Sequence, residues 1–158
     1  MTATRMGALA VHYGKEYLAH AVRGLAGACD EIHVFYAKEP SFGFQADRPC
    51  PDTEDELVAE ANRFAQVIWH RVTAKNEGQH RDQMLAEARS RGHRFVAIAD
   101  ADELWDPYVL HQVLTAIERA DSAGRWLARF CHFWRSWQWT VVDGFRPVRI
   151  VDLKHNLK

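Results

Sequence analysis

Residues 95–103 read Phe-Val-Ala-Ile-Ala-Asp-Ala-Asp-Glu, and this stretch decides the fold. Five small or apolar residues in a row form a strand with both faces buried, as in the middle of a parallel sheet. Three carboxylates then fall within four positions. Alternate residues of an extended chain point the same way, so Asp100 and Asp102 are expected to face one cleft while Glu103 points elsewhere. Crowded carboxylates repel each other unless a cation or a donor relieves them. A hard divalent ion does this, taking one or two carboxylates and completing its shell with water and substrate phosphates. The plainer reading is that the acids cap the next helix, a task Asp106 already fills.

Outward from this stretch the chain alternates strand and helix. Residues 8–13 and 32–37 read as buried strands, with helical spacing over 15–28 between them. Gly43, Pro49 and Pro51 mark a loop over 40–51. Thr53 and Glu56 form a capping-box pattern opening a helix that runs to Ala65. A strand over 67–72 and a helix over 78–91, stopped by Gly92, lead into the quoted strand. Asp106 and Pro107 then open a helix with Val109, Leu110, Val113, Leu114 and Ile117 on its apolar stripe. Two strands, 126–133 and 140–153, turn at Asp143 and Gly144. The expected fold is α/β: a single-domain, three-layer α/β/α sandwich with a mostly parallel, Rossmann-like sheet and a C-terminal β-hairpin. Ligands of such sheets bind beyond the carboxyl ends of the strands. His12 and Tyr13 follow the first strand, Tyr36 ends the second, and the acids follow the fourth.

Composition narrows the function. The 158 residues are 47% hydrophobic and 26% charged, a globular balance that excludes disorder. No apolar run approaches the roughly 20 residues of a membrane helix, and the first six residues lack a signal-peptide core. Three cysteines without close spacing, Cys29, Cys50 and Cys131, fit neither a disulfide framework nor a CxxC zinc site. A cytoplasmic location without a membrane span is expected. Residues 51–121 carry eight basic against fourteen acidic groups, whereas residues 122–158 carry seven basic against two acidic and four of the six tryptophans. Neither a GxGxxG turn nor a GxxxxGK[ST] loop is present, which disfavours a dinucleotide enzyme and a P-loop NTPase.

Three stretches resemble glycosyltransferases of the GT-A fold, close to family 2. Residues 11–18, Val-His-Tyr-Gly-Lys-Glu-Tyr-Leu, with the helix and strand after them, resemble the family's opening strand–helix–strand. Residues 76–83, Asn-Glu-Gly-Gln-His-Arg-Asp-Gln, resemble the Asn-x-Gly…Arg-Asn stretch before the metal motif. Residues 95–103 resemble the hydrophobic strand ending in Asp-x-Asp. The likeness spans about residues 6–120, which would form the nucleotide- and metal-binding core of one domain over 1–158; residues 121–158 would be an acceptor-side β segment.

The resemblance implies transfer of a sugar from a nucleotide diphosphate sugar, a uridine diphosphate sugar by default, with Mn2+ or Mg2+ held by Asp100 and Asp102. It places Tyr13, Arg81, Asp82 and Asp100 near the nucleotide sugar, and His12 and Tyr36, at the strand ends, are expected to join them. An inverting reaction needs a base, for which Asp143, Asp152 and His155 are the candidates, unranked. His132, Trp134, Arg135 and Trp137 lie where an acceptor would enter, since aromatic faces stack on sugars and bases. That acceptor could be a glycan, a lipid, a protein or a modified nucleic acid. Two departures bear on the base: Tyr36 and Ala37 stand where an acid often holds uracil, and Asp82 stands where asparagine is usual. The chain is short for such an enzyme, and completion as a homo-oligomer is one reading. Nucleotidyltransferases share the architecture, but His12-Tyr-Gly-Lys15 is a poor version of their basic glycine-rich loop. A non-catalytic module gripping nucleic acid or glycan through the basic, aromatic end is the other alternative, and a transferase acting on modified DNA bases joins the two readings.

Overall fold

The computed structural model describes residues 4–39, 50–121, 124–133, 138, 140–141 and 144–154. Strands β1 (Arg5–Val11), β2 (Glu31–Ala37), β3 (Ile68–Val72) and β4 (Phe95–Asp100) alternate with helices α1 (Lys15–Ala26), α2 (Glu54–Ala61) and α3 (Glu77–Ser90), and α4 (Pro107–Ala120) follows. Short strands β5 (Arg125–Leu127), β6 (His132–Phe133) and β7 (Thr140–Val141) precede β8 (Val148–Asp152). The main sheet has the order β3-β2-β1-β4-β8-β5. Its first four strands are parallel, and β8 enters antiparallel between β4 and β5.

Local chemistry sets these boundaries. Asp106 accepts the Val109 amide and Pro107 occupies the first turn of α4. Thr53 and Glu56 form the complete capping box of α2. Asn76 caps α3 by accepting the Gln79 amide, and Gly92, at φ +74°, turns the chain out of that helix. The first turn of α1 departs from the pattern: Gly14, at φ +106°, and Lys15 both donate their amides to the buried Asp52 carboxylate, at 2.7 and 3.1 Å. A protein carboxylate thus fills the anion-binding end of α1 that a phosphate loop would use.

Two cores flank the sheet. Leu9, Val11, Val34, Phe95 and Ala97 pack under α1, α2 and α4 through Leu18, Leu25, Leu57, Leu110 and Leu114. Each fully buried leucine contributes about 1.5–3 kcal/mol. On the other face Met6, Ala8, Phe35, Val96 and Ile98 pack against Met84 and Ala88 of α3. This is the expected three-layer α/β/α sandwich. The apolar stripe of α4 is narrower than its sequence implies: Leu110, Leu114 and Ile117 are buried, while Val109 is 50% and Val113 38% exposed. The two long C-terminal strands resolve into four shorter ones. β5 and β8 extend the main sheet, β6 and β7 form a separate ribbon, and Asp143 of the expected turn lies outside the described residues. No helix among the described residues is long and apolar enough to cross a membrane.

Candidate functional site

The sheet changes direction between β1 and β4: β2 follows β1 on one side, and β4 lies on the other. Ala10 pairs with Asp100 across this seam. Ligands of open parallel sheets bind beyond such a point, and the acidic stretch emerges there. Asp100 shares a sheet face with Val96 and Ile98, so its side chain meets α3. There Arg81 donates to one carboxylate oxygen at 2.6 Å. Arg149 of β8 donates to the other at 2.8 Å.

Glu103 does not point away. The strand ends at Asp100, and a turn closed by the Glu103 amide on the Asp100 carbonyl, 3.0 Å, brings its side chain back. Glu103 then accepts from Arg149 Nε at 2.8 Å and from the Asp100 amide at 3.0 Å. Burial pushes the Glu103 carboxyl above the usual carboxylate range, against the pull of Arg149. Arg149, itself 5% exposed, therefore supplies the positive charge that these crowded acids require. The same turn takes Asp102 out of the extended alternation. Asp102 is exposed and has no ion pair among the described residues.

The other candidates separate. Tyr13 is 59% exposed at the end of β1, edge-on to the His12 ring at 5.5 Å. His12 Nδ1 lies 2.7 Å from the Ala37 carbonyl oxygen and ties the ends of β1 and β2 together. Tyr36 falls in register with Ile32 and Val34, so the strand alternation buries it under α1 and α2, stacked on Trp69 at 5.6 Å. It lies across the sheet from Arg81 and Asp100, which corrects its expected place at the nucleotide. Asp82 is exposed and takes no part in the arginine–carboxylate group.

Asp152 is also corrected. It is fully buried, opposite Phe95 at the amino end of β4, and receives two nitrogens of Arg94 at 3.0–3.3 Å. A carboxylate held there cannot reach an acceptor at the carboxyl rim. His132 does come near the site: its ring sits edge-on to Phe130 at 6.1 Å, and the Arg149 guanidinium lies 5.5 Å from the Phe130 ring centre. Trp134, Arg135, Trp137, Asp143 and His155 lie outside the described residues. A hollow of about 370 Å³, lined by Ala26, Cys29, Glu31, Ile32, Ala65 and Ile68, opens at the amino ends of β2 and β3, away from this rim.

The sequence reading missed Arg149. Its signal was a basic residue between the apolar Val148 and Ile150, legible only through the pairing of β8 with β4. One atom of the group lacks a partner: Arg81 Nη1 is buried without a hydrogen-bond acceptor among the described residues. An unpaired buried donor costs about 1–3 kcal/mol, so a ligand oxygen at this position would relieve a cost already present.

The model of "Glycosyl transferase family 2" matches residues 52–157. The chain belongs to glycosyltransferase family 2. Among solved structures it is similar to residues 1–349 of Staphylococcus aureus TarS, at 18% identity and a TM-score of 0.50, covering 75% of this chain and 33% of that one. A protein named as a nucleotide-diphospho-sugar transferase from Desulfovibrio desulfuricans gives 16% identity and a TM-score of 0.45, covering 75% and 54%. The TarS likeness bears on the fold alone, and the chain spans about a third of that TarS fragment. No curated protein matches the chain significantly. The family match begins at Asp52 and takes in Arg81, the acidic stretch and Arg149, so the family assignment and the arginine–carboxylate group rest on the same part of the chain.

Proposed function

We propose that the carboxyl rim of β1 and β4 binds a nucleotide diphosphate sugar and transfers its sugar to an acceptor entering from the β6–β7 side. The observation that carries this reading is Asp100 fixed between Arg81 and Arg149, beside the exposed Asp102, which has no ion pair among the described residues. Tyr13 offers a free aromatic face for the base, and His12 orients it. Arg81 Nη1 donates to an oxygen of the nucleotide. A uridine diphosphate sugar is the donor we favour.

The residues fit a divalent ion unequally. Asp102 is a hard oxygen donor with no ion pair among the described residues, so it would be the principal ligand, whereas Asp100 would have to release an arginine to share one. An ion there would offset the charge that develops on the leaving diphosphate. Arg149 is held by Glu103 and Asp100 and offsets their charge when the carboxylates are ionised. With Asp152 removed, Asp143 and His155 stay as base candidates for an inverting reaction. His132, with Trp134, Arg135 and Trp137, would position the acceptor, and water exclusion by these rings would favour transfer over hydrolysis.

The test is donor hydrolysis and transfer measured with a panel of nucleotide diphosphate sugars, with Mn2+, Mg2+ or a chelator present. The reading predicts turnover of one donor class that stops on chelation. Salt-sensitive nucleic-acid binding without donor turnover would overturn it in favour of a binding module.

A further inference from the structure

At the far end of α3 a second polar cluster lies on the same face of the sheet. Glu31 opens β2, His33 follows two residues later on the same face, and His93 comes from the turn after α3. The Nε2 atoms of His33 and His93 each lie 3.0 Å from one oxygen, Glu31 Oε2. His33 is fully buried and the His93 side chain is 6% exposed, whereas the Glu31 side chain is 39% exposed. Two rings are thus fixed by packing, and the carboxylate opens to solvent. Glu31 lies four register positions from the row of Asp100, at about 3.3 Å per residue, and two strands across. The cluster is separate from the rim.

We propose that Glu31, His33 and His93 form a binding site for a late first-row divalent cation of the zinc class. The donor set, two imidazoles and one carboxylate, suits such ions. Zinc bonds to nitrogen and oxygen run to about 2.0–2.2 Å, so neighbouring donors of a tetrahedral site stand about 3.3 Å apart. The present 3.0 Å contacts need only a few tenths of an ångström of expansion, and the exposed side of Glu31 leaves a fourth position for water.

The surroundings support the ligand set. His33 Nδ1 and His70 Nε2 are 2.9 Å apart, and the His70 ring stacks on Phe35 at 4.6 Å. With a cation on His33 Nε2, the neutral His33 ring would carry its proton on Nδ1 and donate to His70 Nε2, with the proton of His70 on its own Nδ1. Metal-bound histidines are normally oriented by such an outer partner. Glu87 closes this chain, with a carboxylate oxygen within 4.8 Å of the two rings. Among the described residues Arg91 is the cation paired with Glu31: its Nη1 lies 3.5 Å from Glu31 Oε2, but its closer partner is Glu87 at 2.6 Å. It can remain on Glu87 when an ion enters.

The test uses the full chain, stripped with chelator and titrated with Zn2+ by calorimetry, and with Co2+ by visible absorption. The Asp102→Ala background removes the rim as a competing site. We expect one Zn2+ per chain, the intense d–d absorption of four-coordinate Co2+, and a rise in Tm with added Zn2+. Glu31→Gln and His93→Gln should each weaken binding at least tenfold, and His70→Gln by about tenfold as an outer partner. Folding of each variant is checked by circular dichroism. Failure of the parent chain to bind Zn2+ overturns the site, as does unchanged binding in a folded His93→Gln or Glu31→Gln variant.

Discussion

Arg149 is the residue on which the acidic turn depends. It holds two carboxylates at once, and Glu103, 16% exposed at its side chain, has no other cation as a partner among the described residues. Removing one member of a buried ion pair leaves the other desolvated and costs about 3–5 kcal/mol. Arg149→Met is therefore expected to lower unfolding stability by about that much in urea titration. Arg149→Met combined with Glu103→Gln should recover part of the loss. A single variant as stable as the parent would show that the group is more hydrated than its burial indicates. His80 makes a different kind of contribution. Buried on α3, it lies 2.9 Å through Nε2 from the Phe35 carbonyl, and burial lowers its pKa below the ordinary 6.5. The folded state then favours the neutral ring. Its contribution is fully present above pH 6.5 and is lost as pH falls from there through the lower folded value. Thermal melts of His80→Gln should show a shallower loss of stability below pH 6.5 than the parent. The slope should not vanish, because His33 and His70 are also held neutral by burial.

At the scale of elements, the rim is built by close approach of α1 to the chain after β4. A Cβ at Gly24 would come 2.5 Å from the Trp105 carbonyl oxygen, a backbone atom that cannot rotate away. Gly24→Ala should therefore cost about 1–3 kcal/mol, although alanine ordinarily strengthens a helix. It should also disturb the neighbouring acidic turn. Equilibrium unfolding measures the first effect, and donor affinity the second. The alternation of strands and helices through α4 was legible because each element carries its own periodicity and caps: the stripe of α1, the Thr53–Glu56 box, and the Asp106–Pro107 start. The C-terminal third was less so. β8 takes its place through pairing of Ala97 with Ile150, far apart in the chain, and no local pattern states that register. Glu103 was misplaced for a local reason: alternation holds only while the chain stays extended, and here it turns at Ala101. Tyr36 was misplaced by a similar step, since reaching the end of a strand does not determine which face a side chain takes.

For the whole molecule, α3 links two polar centres on one face of the sheet. Its first turns carry Arg81 to Asp100, and its last turns carry Glu87 toward His33 and His70. The second centre was not legible as a cluster, because its histidines come from two strands and a turn, each with an ordinary reading as a partly buried residue. Only the parallel register of β2 and β3 stacks His33 on His70. The rim was legible in part: the Asp-x-Asp strand and Arg81 were visible, whereas the arginine that neutralises the acids was not. In the proposed site Asp100 serves orientation, and Asp102 serves the ion and diphosphate. Binding of uridine diphosphate to the parent and to Asp102→Ala, with Mn2+ and with chelator, tests this most directly. The parent should be stabilised by about 2.7 kcal/mol at a ligand concentration of 100 Kd, an effect dependent on Mn2+ and lost in a folded Asp102→Ala variant. Equal metal-dependent binding by Asp102→Ala would contradict it.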